Sequence, residues 1–285
     1  MNNSKDNLDI VFLGLAQNCE KYLDNFFDLI NKIKTKINLK VIIGENGSND
    51  FTFDKIQQNI KHNKDILFVD TTFIEDYENR IKRLALARQK LKEVLVENNF
   101  KPKFICVVDL DDVISQNFDE VLINTLMNIL NKNSDNYFAA SLSSTPYYYD
   151  ILNFESDEFP NLSIKKLQNN KSINSYKDRK KYIYDVQKKL TIDGNLECIS
   201  GFNGMCIYLF SDFVRSNYIK NKSVEDPDPE HLFFNRFIHK TTGKKILITN
   251  NYLKMPDEHR PLSNFTFFII QKLFKYISIY IRKKY

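Results

Sequence analysis

Three carboxylates follow a single apolar run in Val107-Val108-Asp109-Leu110-Asp111-Asp112-Val113. A hard divalent cation, Mg2+ or Mn2+, takes oxygen ligands of this kind and keeps positions open for substrate phosphates. Alternate residues at a strand end point the same way, so Asp109 and Asp111 can share one site. One can take the cation while the other meets sugar or ribose hydroxyls. The same run also reads as a solvated acidic turn or a helix cap, and the tripeptide alone does not decide between these readings.

Other residues can serve the same site. Arg88 can pair with a diphosphate or lock Asp109 in a two-pronged contact. Arg80 falls close to the same helix face and Arg83 is offset, with a solvated helix face as the plain alternative. In Glu45-Asn46-Gly47-Ser48-Asn49-Asp50, Glu45 can accept hydrogen bonds from a base or ribose, and Asn46 can bond with either polarity. A turn that only caps the next helix explains Asn46 equally well. Glu230-His231 opens a helix after Asp226-Pro227-Asp228-Pro229. Glu230 there is either a dipole-stabilised cap or the base that deprotonates an acceptor hydroxyl. His231 is a candidate further metal ligand or diphosphate contact, in competition with His259.

The elements that must position these residues alternate. Apolar runs at 10–15, 39–43, 65–69 and 104–108 read as buried strands, and segments near 19–36 and 79–97 carry helical spacing. Such alternation implies a mostly parallel sheet with crossover helices on both faces. Ligands of these sheets sit at the carboxyl ends of the strands, where the acidic cluster and the Glu45 turn fall. In the second half, 197–208 reads as one strand kinked at Gly201–Gly204, 230–239 as a helix and 245–248 as a short strand. Residues 160–181 are polar and Asn/Lys-rich and read as a loop. The expected organisation is one catalytic domain over 1–262, with a donor half at about 8–140 and an acceptor half at 141–262, followed by a helix over 263–285.

Composition narrows the function classes. The chain has 285 residues, 42% of them hydrophobic and 27% charged, which suits a packed core. The four cysteines form no CxxC pair and read as buried free thiols of a reducing compartment. The polar start shows no signal peptide, and no apolar run is long enough to span a bilayer; the expected location is the cytoplasm. Residues 263–285 hold five basic residues and no acid, which leaves 36 of the 41 basic residues to balance 36 acidic ones. A formally neutral body excludes a general nucleic-acid binder. In the tail Phe267, Ile270, Phe274, Ile277 and Ile281 share one helix face, with Lys272, Lys275 and Arg282 roughly opposite. This is the pattern of an anionic-membrane contact on the cytoplasmic face, or of a helix docked on the core.

As an ordered set, the motifs resemble the GT-A glycosyltransferases over roughly residues 8–255. Glu45–Asp50 is similar to the nucleoside-binding turn, Ala87-Arg88-Gln89 to the Ala-Arg-Asn that precedes the DxD strand, and Asp109-Leu110-Asp111 to the DxD itself. Tyr147-Tyr148-Tyr149-Asp150, Ser200-Gly201-Phe202-Asn203-Gly204 and Glu230-His231 follow in an order that resembles bacterial and fungal capsule or lipopolysaccharide glycosyltransferases, nearest the α-1,3-mannosyltransferase type. Gln89 stands in place of the usual Asn, and Glu45-Asn46 in place of a common Asp-Asp. The resemblance implies a metal-dependent transfer of a hexose from a UDP-sugar or GDP-sugar to a glycan or lipid-linked glycan, in surface polysaccharide synthesis. It implies Glu45, Asn46, Arg80, Arg88 and Asp109 at the donor, Gly201, Asn203 and Gly204 at the acceptor, Asp109, Asp111 and His231 at the metal, and Glu230 as base. A nucleotidylyltransferase shares a similar sheet but usually needs a glycine-rich first loop, and Gly14 is the one glycine here. A dinucleotide dehydrogenase would need GxGxxG. A glycan-binding scaffold of the same fold is the non-enzymatic alternative.

Overall fold

The computed structural model describes residues 8–111, 119–157, 185, 190, 195–219 and 228–254. Asp112, His259, the 160–181 loop and the 263–285 segment lie outside the described residues.

Eight strands form one sheet among the described residues: β1 Ile10–Ala16, β2 Leu39–Glu45, β3 Ile66–Asp70, β4 Phe104–Asp109, β5 Tyr137–Thr145, β6 Leu196–Cys198, β7 Met205–Leu209 and β8 Lys245–Lys254. Their order is β3-β2-β1-β4-β7-β5-β8-β6. β3, β2, β1 and β4 are all parallel, β7 runs antiparallel between β4 and β5, β8 is parallel to β5, and β6 is antiparallel to β8. The chain walks outward from β1 to β3 and then returns to place β4 on the other side of β1. That reversal is the switch point at which α/β sheets open a crevice for ligands.

Helices cover both faces, as the alternation predicts. They are α1 Glu20–Lys34, α2 Thr52–His62, α3 Arg80–Glu97, α4 Glu120–Lys132, the single turn α5 Phe210–Phe213 and α6 Glu230–Thr242. Ile10 and Phe12 of β1 pack with Phe26, Ile30 and Ile33 of α1, Ile56 of α2 and Leu126 of α4. Their neighbours Val11 and Leu13 face the other way, toward Leu91 and Leu95 of α3 and Phe234 and Ile238 of α6. The period of two in each strand thus divides the core into two layers. Cys19, Cys106, Cys198 and Cys206 are buried free thiols.

α3 departs from a simple amphipathic helix because it buries Arg88, Gln89 and Lys92 beside Ala85, Leu91 and Leu95. Each polar side chain has a partner, as burial requires. The Lys92 ammonium donates to the carbonyls of Val214 and Ser216 and, at 2.8 Å, to Asn217 Oδ1; burial drives its pKa down to about 8. Gln89 Oε1 accepts from Tyr218 N–H at 3.0 Å. Through these bonds α3 holds the segment that leads toward α6.

The expected kinked strand over 197–208 is two strands. β6 sits at the sheet edge against β8, while β7 lies between β4 and β5. The Phe202–Met205 turn is the cause: Asn203 and Gly204 both have positive φ, 53° and 83°, and Met205 N–H bonds Phe202 O at 3.2 Å. Two successive left-handed residues make a tight turn that shifts the chain to a new place in the sheet, and β6 and β7 keep the same direction.

Candidate functional site

The acidic cluster stands at the switch point. Asp109 ends β4 in register with Leu15 of β1, and its N–H donates to Gly204 O at 2.9 Å. Leu110 then turns inward and is buried. It sits over Gly14, where an added Cβ would lie 2.8 Å from Leu110 Cγ. The apolar middle residue is therefore pinned in the core, and the aspartates flank it, Asp109 half-buried and Asp111 exposed.

Arg88 joins the two halves of the chain. Its Nη2 donates to Asp109 Oδ1 at 2.8 Å and its Nε to Glu230 Oε1 at 3.2 Å. Its guanidinium lies 5.2 Å from the Phe202 ring centroid. Burial opposes its charge, but Asp109 and Glu230 outweigh that and hold its pKa above the ordinary value. Burial pushes Asp109 up to about 7, with Arg88 opposing and Asp111 adding to the rise. Among the described residues one guanidinium is shared by Asp109 and Glu230. The hard carboxylate oxygens of Asp109 and Asp111 are of the kind a divalent ion takes. Among the described residues no three His, Cys, Asp or Glu side chains could hold a metal together. The fit is therefore to an ion held by one or two carboxylates and completed by substrate phosphates, the usual Mg2+ arrangement.

Burial bears on three of the expected roles. His231 is 1% exposed. Its ring stacks on Phe202 at 3.7 Å between centroids and meets Tyr218 edge-on at 5.7 Å. Burial, then Arg88, drive its pKa well below the ordinary value; it is a neutral member of an aromatic stack, and both of its ring nitrogens are without a hydrogen-bond partner among the described residues. Glu230 is 6% exposed and turned onto Arg88, which suits a charge partner better than a base for an external hydroxyl. Gly201, Asn203 and Gly204 are buried. Asn203 Nδ2 donates to Leu142 O at 2.9 Å, and its Oδ1 accepts from Ser144 Oγ at 3.3 Å. These bonds brace the loop from inside the sheet.

The Glu45 turn is also built around internal bonds. Glu45 is 3% exposed and accepts from the N–H groups of Gly47 and Ser48 at 3.1 and 2.6 Å. Asn46 is buried, and its Oδ1 has no partner among the described residues. The turn closes the start of α1: Asn18 N–H donates to Ser48 Oγ, Cys19 N–H to Thr52 Oγ1 and Glu20 N–H to Asp50 Oδ2, at 2.9, 2.8 and 3.2 Å. These are the donors that a phosphate would take at a first strand-to-helix turn. Here they are taken up by the side chains of Ser48, Thr52 and Asp50. Arg80 is exposed at the first residue of α3, about 12 Å along the axis from Arg88. The structure brings Arg88 to the cluster and leaves Arg80 in solvent.

Sequence reasoning gives Asp150 no role, yet it borders the same site. Its carboxylate accepts from Asn153 Nδ2 at 2.9 and 3.1 Å and from Asn203 N–H at 3.1 Å. The available signal was an acid directly after Tyr147–Tyr149, but only the fold shows that it faces Asp109.

No protein-family model and no curated protein matches the sequence. Among solved structures the chain is similar to glucosyl-3-phosphoglycerate synthase from Mycobacterium tuberculosis in complex with Mn2+, UDP and glucosyl-3-phosphoglycerate, at 10% identity and TM-score 0.48, over 90% of this chain and 73% of that one. It is similar to the mannosyltransferase PcManGT from Pyrobaculum calidifontis in complex with GDP-Man and Mn2+, at 11% identity and TM-score 0.48, over 98% of this chain and 65% of that one. For S. aureus TarS 1-349 the identity is 11% and the TM-score 0.45, over 88% of this chain and 58% of that one. The chain thus spans less than two thirds of the last two.

Proposed function

We propose that this protein is a divalent-metal-dependent glycosyltransferase of the GT-A type, moving a sugar from a UDP- or GDP-sugar to a glycan or lipid-linked glycan. The observation that carries the reading is the pair Asp109 and Asp111 at the switch point of the sheet, flanking the buried Leu110, with a single guanidinium shared between Asp109 and Glu230. Mn2+ or Mg2+ bound by these aspartates would supply the positive charge against which a nucleoside diphosphate leaves. Arg88 holds one oxygen of Asp109 in place and leaves the other for the ion. Asn46, with its unpartnered Oδ1, offers a buried polar atom beside the carboxyl end of β2, where a nucleoside would lie. The sealed start of α1 supports this reading over nucleotidyl transfer.

The test is release of nucleoside diphosphate from UDP-glucose, UDP-galactose, UDP-N-acetylglucosamine and GDP-mannose with Mn2+. At least one donor is expected to turn over, with loss of activity in EDTA and recovery on adding metal. No release from any donor, with no binding of UDP or GDP in the presence of Mn2+, would count against the reading.

The acceptor side of the proposal draws on the sequence of residues 263–285. Among the described residues no helix is long and apolar enough to cross a membrane. A basic amphipathic segment gains about 1 kcal/mol per Lys or Arg near an anionic surface. The full chain is therefore expected to sediment with anionic vesicles, less so at high salt, and a chain ending at Pro261 is not. Equal sedimentation of the two would remove the membrane from the proposal.

A further inference from the structure

Glu230 is paired with Arg88 and nearly closed to solvent, and among the described residues Asp150 is a further carboxylate at the same site. Asp150 meets the geometric requirements of a proton acceptor. β7 lies between β4 and β5 and runs opposite to both, so the turn that enters it sits at the carboxyl ends of both strands. Two adjacent residues of that turn hold the two aspartates. Gly204 O receives Asp109 N–H at 2.9 Å, and Asn203 N–H donates to Asp150 Oδ2 at 3.1 Å. Asp109, at the end of β4, and Asp150, just beyond the end of β5, are therefore held by adjacent residues of one turn. Among the described residues the Asp150 carboxylate accepts from two neutral donors, Asn203 N–H and Asn153 Nδ2. Its residue is half-buried, in contrast to Glu230.

We infer that Asp150 is the catalytic proton acceptor for the incoming hydroxyl, an assignment that rests on the glycosyltransferase reading. The acceptor oxygen forms a bond to the anomeric carbon, the bond from that carbon to the diphosphate oxygen breaks, and its electron pair leaves with the diphosphate. The acceptor's proton passes to the Asp150 carboxylate. Attack from the face opposite the leaving group makes the transfer inverting. Burial, offset in part by Asn153 and reinforced by the facing carboxylates Asp109 and Glu230, lifts Asp150 to about 7. A base is most effective with its pKa near the working pH.

The experiment uses the full chain, Mn2+ and the same four nucleotide sugars, with water as acceptor. Readouts are nucleoside diphosphate release, the anomer of the freed sugar by early proton NMR, and UDP or GDP affinity by calorimetry. Asp150→Asn keeps an oxygen for Asn203 N–H and removes the charge. It is expected to lower turnover about 100-fold or more, with nucleotide affinity within about threefold, and the wild-type product is expected to be inverted. Asn153→Ala keeps the base but removes a donor that holds its pKa down, so the acid limb of the turnover–pH profile is expected to move to higher pH. That shift also serves if Asp150→Asn does not fold, because a purely structural Asp150 would leave the limb in place. Turnover of Asp150→Asn within threefold of wild type, a retained anomer, or an unmoved limb in Asn153→Ala would each overturn the assignment while leaving the transferase reading intact. A wild-type protein that is silent on all four donors and binds neither UDP nor GDP would remove both.

Discussion

Replacing Asp111 by alanine or Asp109 by asparagine is expected to lower turnover of a nucleotide sugar about 1,000-fold, roughly 4 kcal/mol of transition-state stabilisation. The fold should survive, because the β4 turn is anchored by Leu110 over Gly14 and by the bond from Asp109 N–H to Gly204 O, none of which uses a carboxylate. The metal-free protein supplies a second, activity-independent readout. Burial raises Asp109 from 3.8 to about 7, so the folded chain holds that proton more tightly than the unfolded chain does. The sign follows: this contribution to stability is present below about pH 4 and is lost as pH rises toward 7. Added Mn2+ should therefore raise the melting temperature more at pH 7.5 than at pH 5.5. In Asp109→Asn the slope over this window should flatten, since the remaining guanidinium then faces one carboxylate. Equal Mn2+ shifts at the two pH values, or an Asp111→Ala enzyme with near-full turnover, would show that these aspartates do not hold the metal.

The parts that were legible in the sequence share one physical property. β1, β2 and β4 are largely apolar runs because parallel strands covered on both faces have no polar side, and β2 and β4 end on the acids Glu45 and Asp109. α2 and β5 were harder to read. α2 hides behind the Gly47–Asp50 turn, with only Ile56 and Thr52 buried. β5 buries Ser141, Ser143 and Ser144, which read as loop residues until the partners are known; Ser141 Oγ bonds the carbonyls of Phe202 and Met205 at 2.8 and 2.9 Å. Arg88 was expected at a diphosphate or on Asp109, and the structure shows the second of these contacts. Its second partner, Glu230, lies 142 positions away, and no local pattern could pair them. For the same reason His231, Glu230 and Asn203 carried roles suited to exposed side chains. Their types gave no sign that a single aromatic layer of Phe202, His231, Tyr218 and Phe234 would bury them.

Arg88→Met is expected to cost about 3–5 kcal/mol in folding free energy, because it removes one member of a buried ion pair and leaves Glu230 without a counter-charge. Arg88 and Glu230 are each 6% exposed, while Asp109 keeps 28% of its side chain accessible. The larger part of the loss should thus come from Glu230, and a double mutant can resolve it. Adding Glu230→Gln to Arg88→Met replaces the stranded carboxylate by a neutral amide, so the pair should be more stable than Arg88→Met alone, with a coupling of about 2 kcal/mol. Arg88→Lys should not rescue, since a single ammonium lacks the fork that reaches Asp109 with Nη2 and Glu230 with Nε together. Urea unfolding of the wild type, Arg88→Met, Glu230→Gln, the double mutant and Arg88→Lys gives each value directly. Activity separates the two halves of the pairing: Glu230→Gln alone should keep measurable turnover, while Arg88→Met should lose it even where the protein is folded, because Asp109 is no longer held in place. Additive stability losses in the double mutant would mean that the contact between α3 and α6 is held by its neighbours, Lys92 and the Phe202–His231 stack, and not by the shared guanidinium.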